Sequence, residues 1–411
     1  MRFNDSWLPH FIAQHFENGV GLLRVLLLTF YFRPDLSAGA FRATALAEAL
    51  RKTSNAIEID IVTTMPNRYG TFSANATATE QTAGVNIKRI VLPAHRSGML
   101  DQSLTYYAFS RQALKFVRNK HYDIIIATSS RLMTAVLGAW IASRKRTPLY
   151  LDIRDIFVDT IKDVLPNFTS LLIKPVLGVL ERWAIMHASK VNLVSQGFAD
   201  YFLERYPSQK YSYFTNGIDD EFLAALPKEC EESKQSVPLQ ILYAGNIGEG
   251  QGLHAILPEL GRRLSGQVHF QIIGDGGRKA LLRSVLESSG VTNVELLPPM
   301  PRNKLIEAYR QADVLFLHLN DYDAFKKVLP SKIFEYAAMG KPIFAGISGY
   351  SAQFVSAEIS NAVVFPPCDA GAAEQALKKL VIKDAPREAF VKKYSRENIC
   401  GEMAKDILTL V

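Results

Sequence analysis

Short apolar runs recur along the chain, separated by polar or amphipathic stretches of helix length. The first series is RVLLLTF (24–30), IEIDIVTT (57–64), VNIKRIVLP (85–93), YDIIIATSS (122–130), PLYLDIRD (148–155), KVNLVS (190–195) and YSYFTNG (211–217). Amphipathic segments such as 41–52, 103–119 and 170–187 lie between most of them. Apolar strands joined by helical crossovers predict a parallel sheet buried on both faces. A second series repeats the arrangement: LQILYAGNI (239–247), VHFQIIGDGG (268–277), VELLPPM (294–300), DVLFLHL (313–319), KPIFAGI (341–347) and AVVFPPCD (362–369). The fold class expected is α/β, with two Rossmann-like doubly wound domains facing across a cleft and ligands at the carboxyl ends of the strands.

Between the two series, LPKECEESKQSVP (226–238) is polar, charged and closed by proline, the composition of a linker. The expected domains are therefore 1–225 and 239–385. Residues 386–411 read as one or two terminal helices, and periodicity leaves open whether they pack back on the first domain.

Composition narrows the class. At 411 residues, with 48% hydrophobic and 21% charged residues, the chain suits a two-domain globular protein. Its three cysteines, Cys230, Cys368 and Cys400, lack metal spacing and read as unpaired thiols in a reducing compartment. The first thirty residues lack the layout of a signal peptide. No run approaches the roughly 20 apolar residues of a membrane span, so the expected location is cytoplasmic. A net charge of +7 admits acidic ligands or an anionic surface, but the basic residues are scattered and no nucleic-acid motif occurs. Nucleic acid is not an expected partner, and no metal site, catalytic Ser-His-Asp set or P-loop emerges.

The chemistry is expected at strand-to-helix turns of the second series. YAGNIGEGQGL carries Gly245, Gly248, Gly250 and Gly252; IIGDGGRKALL carries Gly274, Asp275, Gly276 and Gly277. Glycine lets backbone N–H groups approach a phosphate closely. Each turn alone is a weak signal, and neither has the dinucleotide-binding spacing. In LPSKIFEYAAMGKPI, Ser331 is the expected helix cap, Ile333, Phe334, Ala337 and Ala338 form an apolar stripe, and Gly340 and Pro342 end the helix. Lys332 in the first turn opposes the helix dipole, which a bound phosphate would explain.

The order of these segments resembles family 4 glycosyltransferases, retaining two-domain GT-B enzymes that use nucleotide-sugars. FYFRPDLSAGAFRATALAEAL, YLDIRDIF, LERWAIMHASKVNLVSQGFADYF and TNGID resemble the first domain, and the glycine turns, ELLPPMPRNKL, PSKIFEY and GKP the second. The resemblance covers roughly 24–400. It is nearest to the bacterial surface-polysaccharide subgroup, which includes N-acetylfucosamine transferases.

The resemblance implies that Glu335 accepts hydrogen bonds from the ribose hydroxyls. Ser331 and Lys332 would hold the diphosphate, with Gly245, Asn246, Gln251, Gly274 and Asp275 around it. Gly39 would approach the same phosphates from a first-domain loop, and Pro299 and Met300 would line the base pocket. Lys332 is the expected catalytic cation, followed by Arg33, Arg42 or Arg278. Asp155 is a catalytic candidate at a strand end, with Arg154 beside it and Asp152 alternating. An ion pair stabilising a local turn is the other reading of these residues.

The chain departs from the family pattern where Asn246 and Gln251 replace a common Arg and Lys, and where Lys327 stands eight residues before Glu335 in place of an acid. Amides still donate hydrogen bonds but offer no charge. The segment FTSLLIKPVLGVLERWAIMHASK reads as a core helix or as one resting on a membrane surface.

The expectation is a transferase moving a sugar, for instance an N-acetylated deoxyhexose, from a UDP-sugar to a lipid-linked or polysaccharide acceptor, with no cofactor or metal. The alternatives are a non-catalytic sugar-nucleotide-binding partner of a transferase and a UDP-sugar epimerase.

Overall fold

The computed structural model describes residues 22–35, 37–66, 76–92, 99–129, 131–156, 158, 167–223 and 237–411. The chain divides into two compact units. Among the described residues, the first holds those up to Val194, then Ala199–Phe214 and Glu397–Val411; the second holds Ser195–Phe198 and Thr215–Arg396. Of the expected linker, only residues 237 and 238 fall within the described part.

The first unit runs β1 (Leu23–Leu28), α1 (Ala38–Thr53), β2 (Ile57–Thr64), β3 (Thr79–Thr82), β4 (Val85–Ile90), α2 (Met99–Val117), β5 (Ile124–Ser129), α3 (Leu132–Lys145), β6 (Leu149–Ile153), α4 (Asn167–Met186), β7 (Lys190–Leu193), α5 (Ala199–Arg205) and β8 (Tyr211–Ser212). Its sheet has the order β3-β4-β2-β1-β5-β6-β7-β8, parallel except where β3 pairs antiparallel with β4. The chain winds outward in both directions from β1, as in a doubly wound fold. Strand β1 is sealed on both faces, Val25 to Leu28 having no exposed surface, and this is why it lacks polar alternation. Helix α1 starts where Ser37 Oγ accepts from Ala40 N at 3.2 Å, and its last turn carries Arg51 and Lys52. The pattern did not predict β3. Its sequence TEQT is polar and largely exposed, held at the sheet edge by a tight turn into β4.

The second unit runs α6 (Asp220–Leu223), β9 (Leu239–Asn246), α7 (Leu253–Arg263), β10 (Val268–Asp275), α8 (Lys279–Ser288), β11 (Val294–Leu297), α9 (Arg302–Gln311), β12 (Val314–His318), α10 (Lys332–Ala338), β13 (Ile343–Gly346), α11 (Gly349–Glu358), β14 (Ala362–Phe365), α12 (Ala370–Lys379) and α13 (Glu388–Tyr394). Its six parallel strands have the order β11-β10-β9-β12-β13-β14, with the winding reversing between β9 and β12. Strand β11 stops at Leu297, short of the 294–300 expected, because Pro298 and Pro299 have no N–H for the ladder. Helix α10 ends at Ala338, two residues before Gly340, which takes φ +70° and turns the chain away. One of its last carbonyls, Ala337 O, accepts from the Arg387 guanidinium at 3.2 Å, and the same guanidinium donates to Lys341 O, past the helix end, at 3.0 Å. Phe334 packs with Phe354, Phe390 and Tyr394, so α10 is anchored on α11 and α13.

The last helix, α14 (Arg396–Leu408), supplies core to the first unit. Its Cys400, Met403, Ala404 and Ile407 are buried in one cluster with Val25, Leu27, Leu46, Leu50, Ile59 and Ile126.

Candidate functional site

The winding reversal between β9 and β12 places the ends of β9 and β10 beside the start of α10. In the β9–β10 ladder Gly245 pairs with Gly274 and Asn246 with Asp275. Both glycines have positive φ, +145° and +156°, and a Cβ on Gly274 would collide with the Gly245 carbonyl oxygen. A Cβ on Gly245 would occupy the place of the Lys332 ammonium group. Lys332 thus reaches back from α10 to the end of β9, its Nζ 5.5 Å from the centre of the Tyr243 ring. Tyr336, one turn along α10, accepts a hydrogen bond from Ala244 N at 3.1 Å and fixes the same approach.

Charge around this contact is concentrated. Burial lowers the Lys332 pKa while Glu335 opposes the shift; burial raises the Glu335 pKa against the pull of Arg302 and Lys332. Tyr309 Oη lies 3.5 Å from Glu335 Oε2 as its donor. Arg302 pairs with Asp219 and Glu221, and Asp219 is also held by Arg396. Glu335 therefore stands among three cations, Arg302, Lys332 and Arg396, with the Asp219 carboxylate opposing its ionisation and with acceptor capacity to spare.

Several expectations need correction. Ser331 makes no side-chain cap. Its backbone is already helical at φ −60° and ψ −27°, so its hydroxyl does not meet the first free N–H groups. The Asn246 and Gln251 amides do not both point outward as donors. Asn246 Nδ2 donates to Gln251 Oε1 at 2.8 Å, and the same oxygen accepts Gly248 N at 3.2 Å, which closes the glycine loop on itself. Asp275 Oδ1 accepts the next residue's N–H at 2.9 Å and so serves its own turn. Met300 is half-buried in the turn between β11 and α9.

In the first unit, Gly39 is not in a loop but is the second residue of α1, where the absence of a Cβ makes room for the Arg154 guanidinium. Asp155 is exposed just past β6. Arg42 is not available as a catalytic cation: it is fully buried, Nε 2.8 Å from Asp152 Oδ2 and Nη2 2.9 Å from Asp152 Oδ1. Asp152 accepts from Asn192 Nδ2 as well, at 2.8 Å, and is a structural anion. Arg278 pairs with Glu249, and Arg33 with Glu48 and Glu80. The residues that sequence reasoning missed are Asp219, Arg302, Tyr309 and Arg396. Asp219 and Arg302 lie in the quoted segments TNGID and PRNKL, but no local pattern pairs them. Among the described residues there is no cluster able to hold a metal ion, and no helix is long and apolar enough to cross a membrane.

Residues 38–217 match the family described as glycosyl transferase 4-like domain, and residues 229–397 match glycosyl transferases group 1. A protein of Escherichia coli K12 described as a putative colanic acid biosynthesis glycosyl transferase, WcaI, is 34% identical over 100 residues. That match spans 24% of this chain and 24% of the relative's length. Sucrose-phosphate synthase from Thermosynechococcus elongatus superposes with a TM-score of 0.65 at 14% identity, covering 94% of both chains. Anabaena Alr3699/HepE, solved with UDP and glucose, gives 0.63 at 15% identity, covering 95% of this chain and all of that one. WaaG, a glycosyltransferase involved in lipopolysaccharide biosynthesis, gives 0.59 at 13%, covering 94% and 97%. The chain thus carries, in order, the two domains of a glycosyltransferase of the GT-B fold.

Proposed function

We propose that the chain moves a sugar, with retention of configuration, from a UDP-sugar to a lipid-linked or polysaccharide acceptor in bacterial surface-glycan assembly. The observation that carries this reading is the meeting of Lys332 with Gly245 one helical turn from Glu335. In this reading the second unit takes the donor. Glu335 accepts from the two ribose hydroxyls, while Lys332, the backbone of Ser331 and the turns at Gly245 and Gly274 receive the diphosphate. The base lies toward Met300. As the glycosidic bond to the diphosphate breaks, negative charge grows on the leaving oxygen and the Lys332 ammonium stabilises it. The first unit takes the acceptor near Asp155. No resident cofactor or metal is used. The UDP bound by the Anabaena neighbour and the polysaccharide role in the name of the colanic acid relative support this choice of substrates. Lys327 in place of an acid favours a deoxy or N-acetylated donor sugar.

Lys332→Ala and Glu335→Ala should each weaken UDP binding at least about tenfold in titration calorimetry, the scale of one charged hydrogen bond. Unchanged affinity in both would reject the assignment.

A second reading, a non-catalytic sugar-nucleotide-binding partner, draws on the Asn246–Gln251 pair, which puts a closed neutral contact in the glycine loop. UDP binding without turnover or hydrolysis of any UDP-sugar would favour it.

The acceptor reading also places the protein at the cytoplasmic face of a membrane. Helix α4 buries Glu181, Ala184 and Ile185 and exposes Val176, Val179, Arg182 and Met186, an apolar and basic stripe suited to anionic headgroups. Flotation with phosphatidylglycerol vesicles, reduced by Val179→Glu, is the expected result; equal flotation of both proteins would dismiss this contact.

A further inference from the structure

His318 is the last residue of β12 and has no exposed surface. Its Nε2 lies 3.0 Å from Cys368 N, a donor, so Nε2 must be the nitrogen bearing the lone pair. The hydrogen then sits on Nδ1, which donates to the Gln251 carbonyl at 2.7 Å. Two backbone groups thus select one neutral tautomer.

The residues that follow tie down the same turn. Asn320 N donates to Gly250 O at 2.9 Å and Asn320 Nδ2 to Glu249 O at 3.0 Å. Tyr322 Oη donates to Glu249 Oε1 at 2.7 Å, and the Phe325 ring fills the space over Gly250. All three carbonyls of the Glu249–Gln251 turn are therefore taken by the segment 318–322. A trans peptide is planar, so a carbonyl held toward that segment turns the following N–H away from it. A loop with Gly248, Gly250 and Gly252 would otherwise sample many such orientations.

We propose that His318 is a positioning residue for the nucleotide, holding the 249–251 turn so that the Glu249 and Gly250 N–H groups face the diphosphate, those of Gln251 and Gly252 donating within the turn to Gly248 O and Glu249 O. This rests on the donor-binding reading given above. Burial holds the imidazole's pKa down at about 4, which keeps the required tautomer neutral at physiological pH. The ordering of the turn is done before the ligand arrives, so its loss should appear as affinity.

The test compares three variants. His318→Leu removes both ring hydrogen bonds. His318→Asn keeps a donor in the place of Nδ1, and His318→Gln keeps an acceptor in the place of Nε2. UDP affinity is measured by calorimetry, donor KM and kcat by turnover, and amide hydrogen exchange is followed over peptides spanning 246–253. His318→Leu should speed exchange in that turn, raise the UDP Kd about tenfold and raise donor KM with little change in kcat. His318→Asn should recover most of the affinity and His318→Gln little. The Asn and Gln comparison decides the matter if the Leu variant does not fold. Equal UDP affinity in the folded variants, or faster exchange spread evenly over the second unit, would overturn the proposal. Absence of UDP binding by the unaltered protein would instead defeat the donor-binding reading on which it stands.

Discussion

Arg42→Met is the most informative single perturbation of the first unit, because it separates a structural cation from a catalytic one. Arg42 and Asp152 are 1% and 0% exposed in their side chains. The guanidinium makes a two-pronged contact with the carboxylate at 2.8 and 2.9 Å and donates to Phe214 O at 2.8 Å. Burial alone would raise the Asp152 pKa, but the charge and hydrogen bonds of Arg42 outweigh it and the net shift is downward. Removing Arg42 leaves a buried carboxylate with Asn192 as a remaining donor. Breaking such a pair costs about 3–5 kcal/mol. For a unit of this size, about 2–4 °C per kcal/mol gives a fall of roughly 10 °C in its melting temperature. Asp152 contributes stability above its unfolded pKa, lost only as pH falls through the lower folded value, so mild acid should not imitate the substitution. Urea unfolding followed by circular dichroism reads the loss, and UDP calorimetry on the folded variant should show unchanged affinity. The double variant Arg42→Met with Asp152→Leu should lie closer to the unaltered protein than Arg42→Met alone, since it removes the stranded charge. An Arg42→Met protein with unchanged melting but lost turnover would refute the reasoning and return Arg42 to the reaction.

Two further predictions concern pH. The His318 pKa is lowered from 6.5 to about 4, so the unfolded chain binds a proton that the folded one excludes. Stability should fall as pH drops from about 6.5 toward 4, by roughly 2 kcal/mol at pH 5, a slope that His318→Asn should reduce in urea titrations. His254 lies near enough to oppose protonation of the same ring, and its substitution should shallow the slope. At the donor site, Lys332 must be charged and Glu335 ionised. With the Lys332 pKa lowered and the Glu335 pKa raised, UDP affinity should decline as pH rises, before the ordinary lysine pKa is reached, and as pH falls, before the ordinary glutamate pKa is reached. Calorimetry across pH checks this, and a flat profile from pH 4.5 to 10 would contradict it.

The alternation of apolar runs and helix-length segments was enough to predict two doubly wound α/β units, because buried parallel strands have no polar face to show. The stop of α10 before Gly340 was legible for the same local reason, as were the glycine turns at the ends of β9 and β10. Strand β3 was not legible, since a polar edge strand carries no apolar period. Nor was the conformation of Ser331: a helix start depends on what the preceding residues pack against, and a serine in the right place does not ensure a cap.

Partner choice belonged to the tertiary structure alone. Arg42 could not be matched with Asp152, 110 positions away, nor Arg302 with Asp219, 83 away, from patterns that report neighbours within a turn or a pleat. The same holds for α14, which read as a terminal helix while its periodicity left open whether it packs on the first unit. The sequence by itself determined which residues must leave water and where the chain must turn. The tertiary structure decided which charges meet, which tautomer His318 takes and which glycines have no room for a side chain, because those outcomes depend on distances that only the folded chain creates.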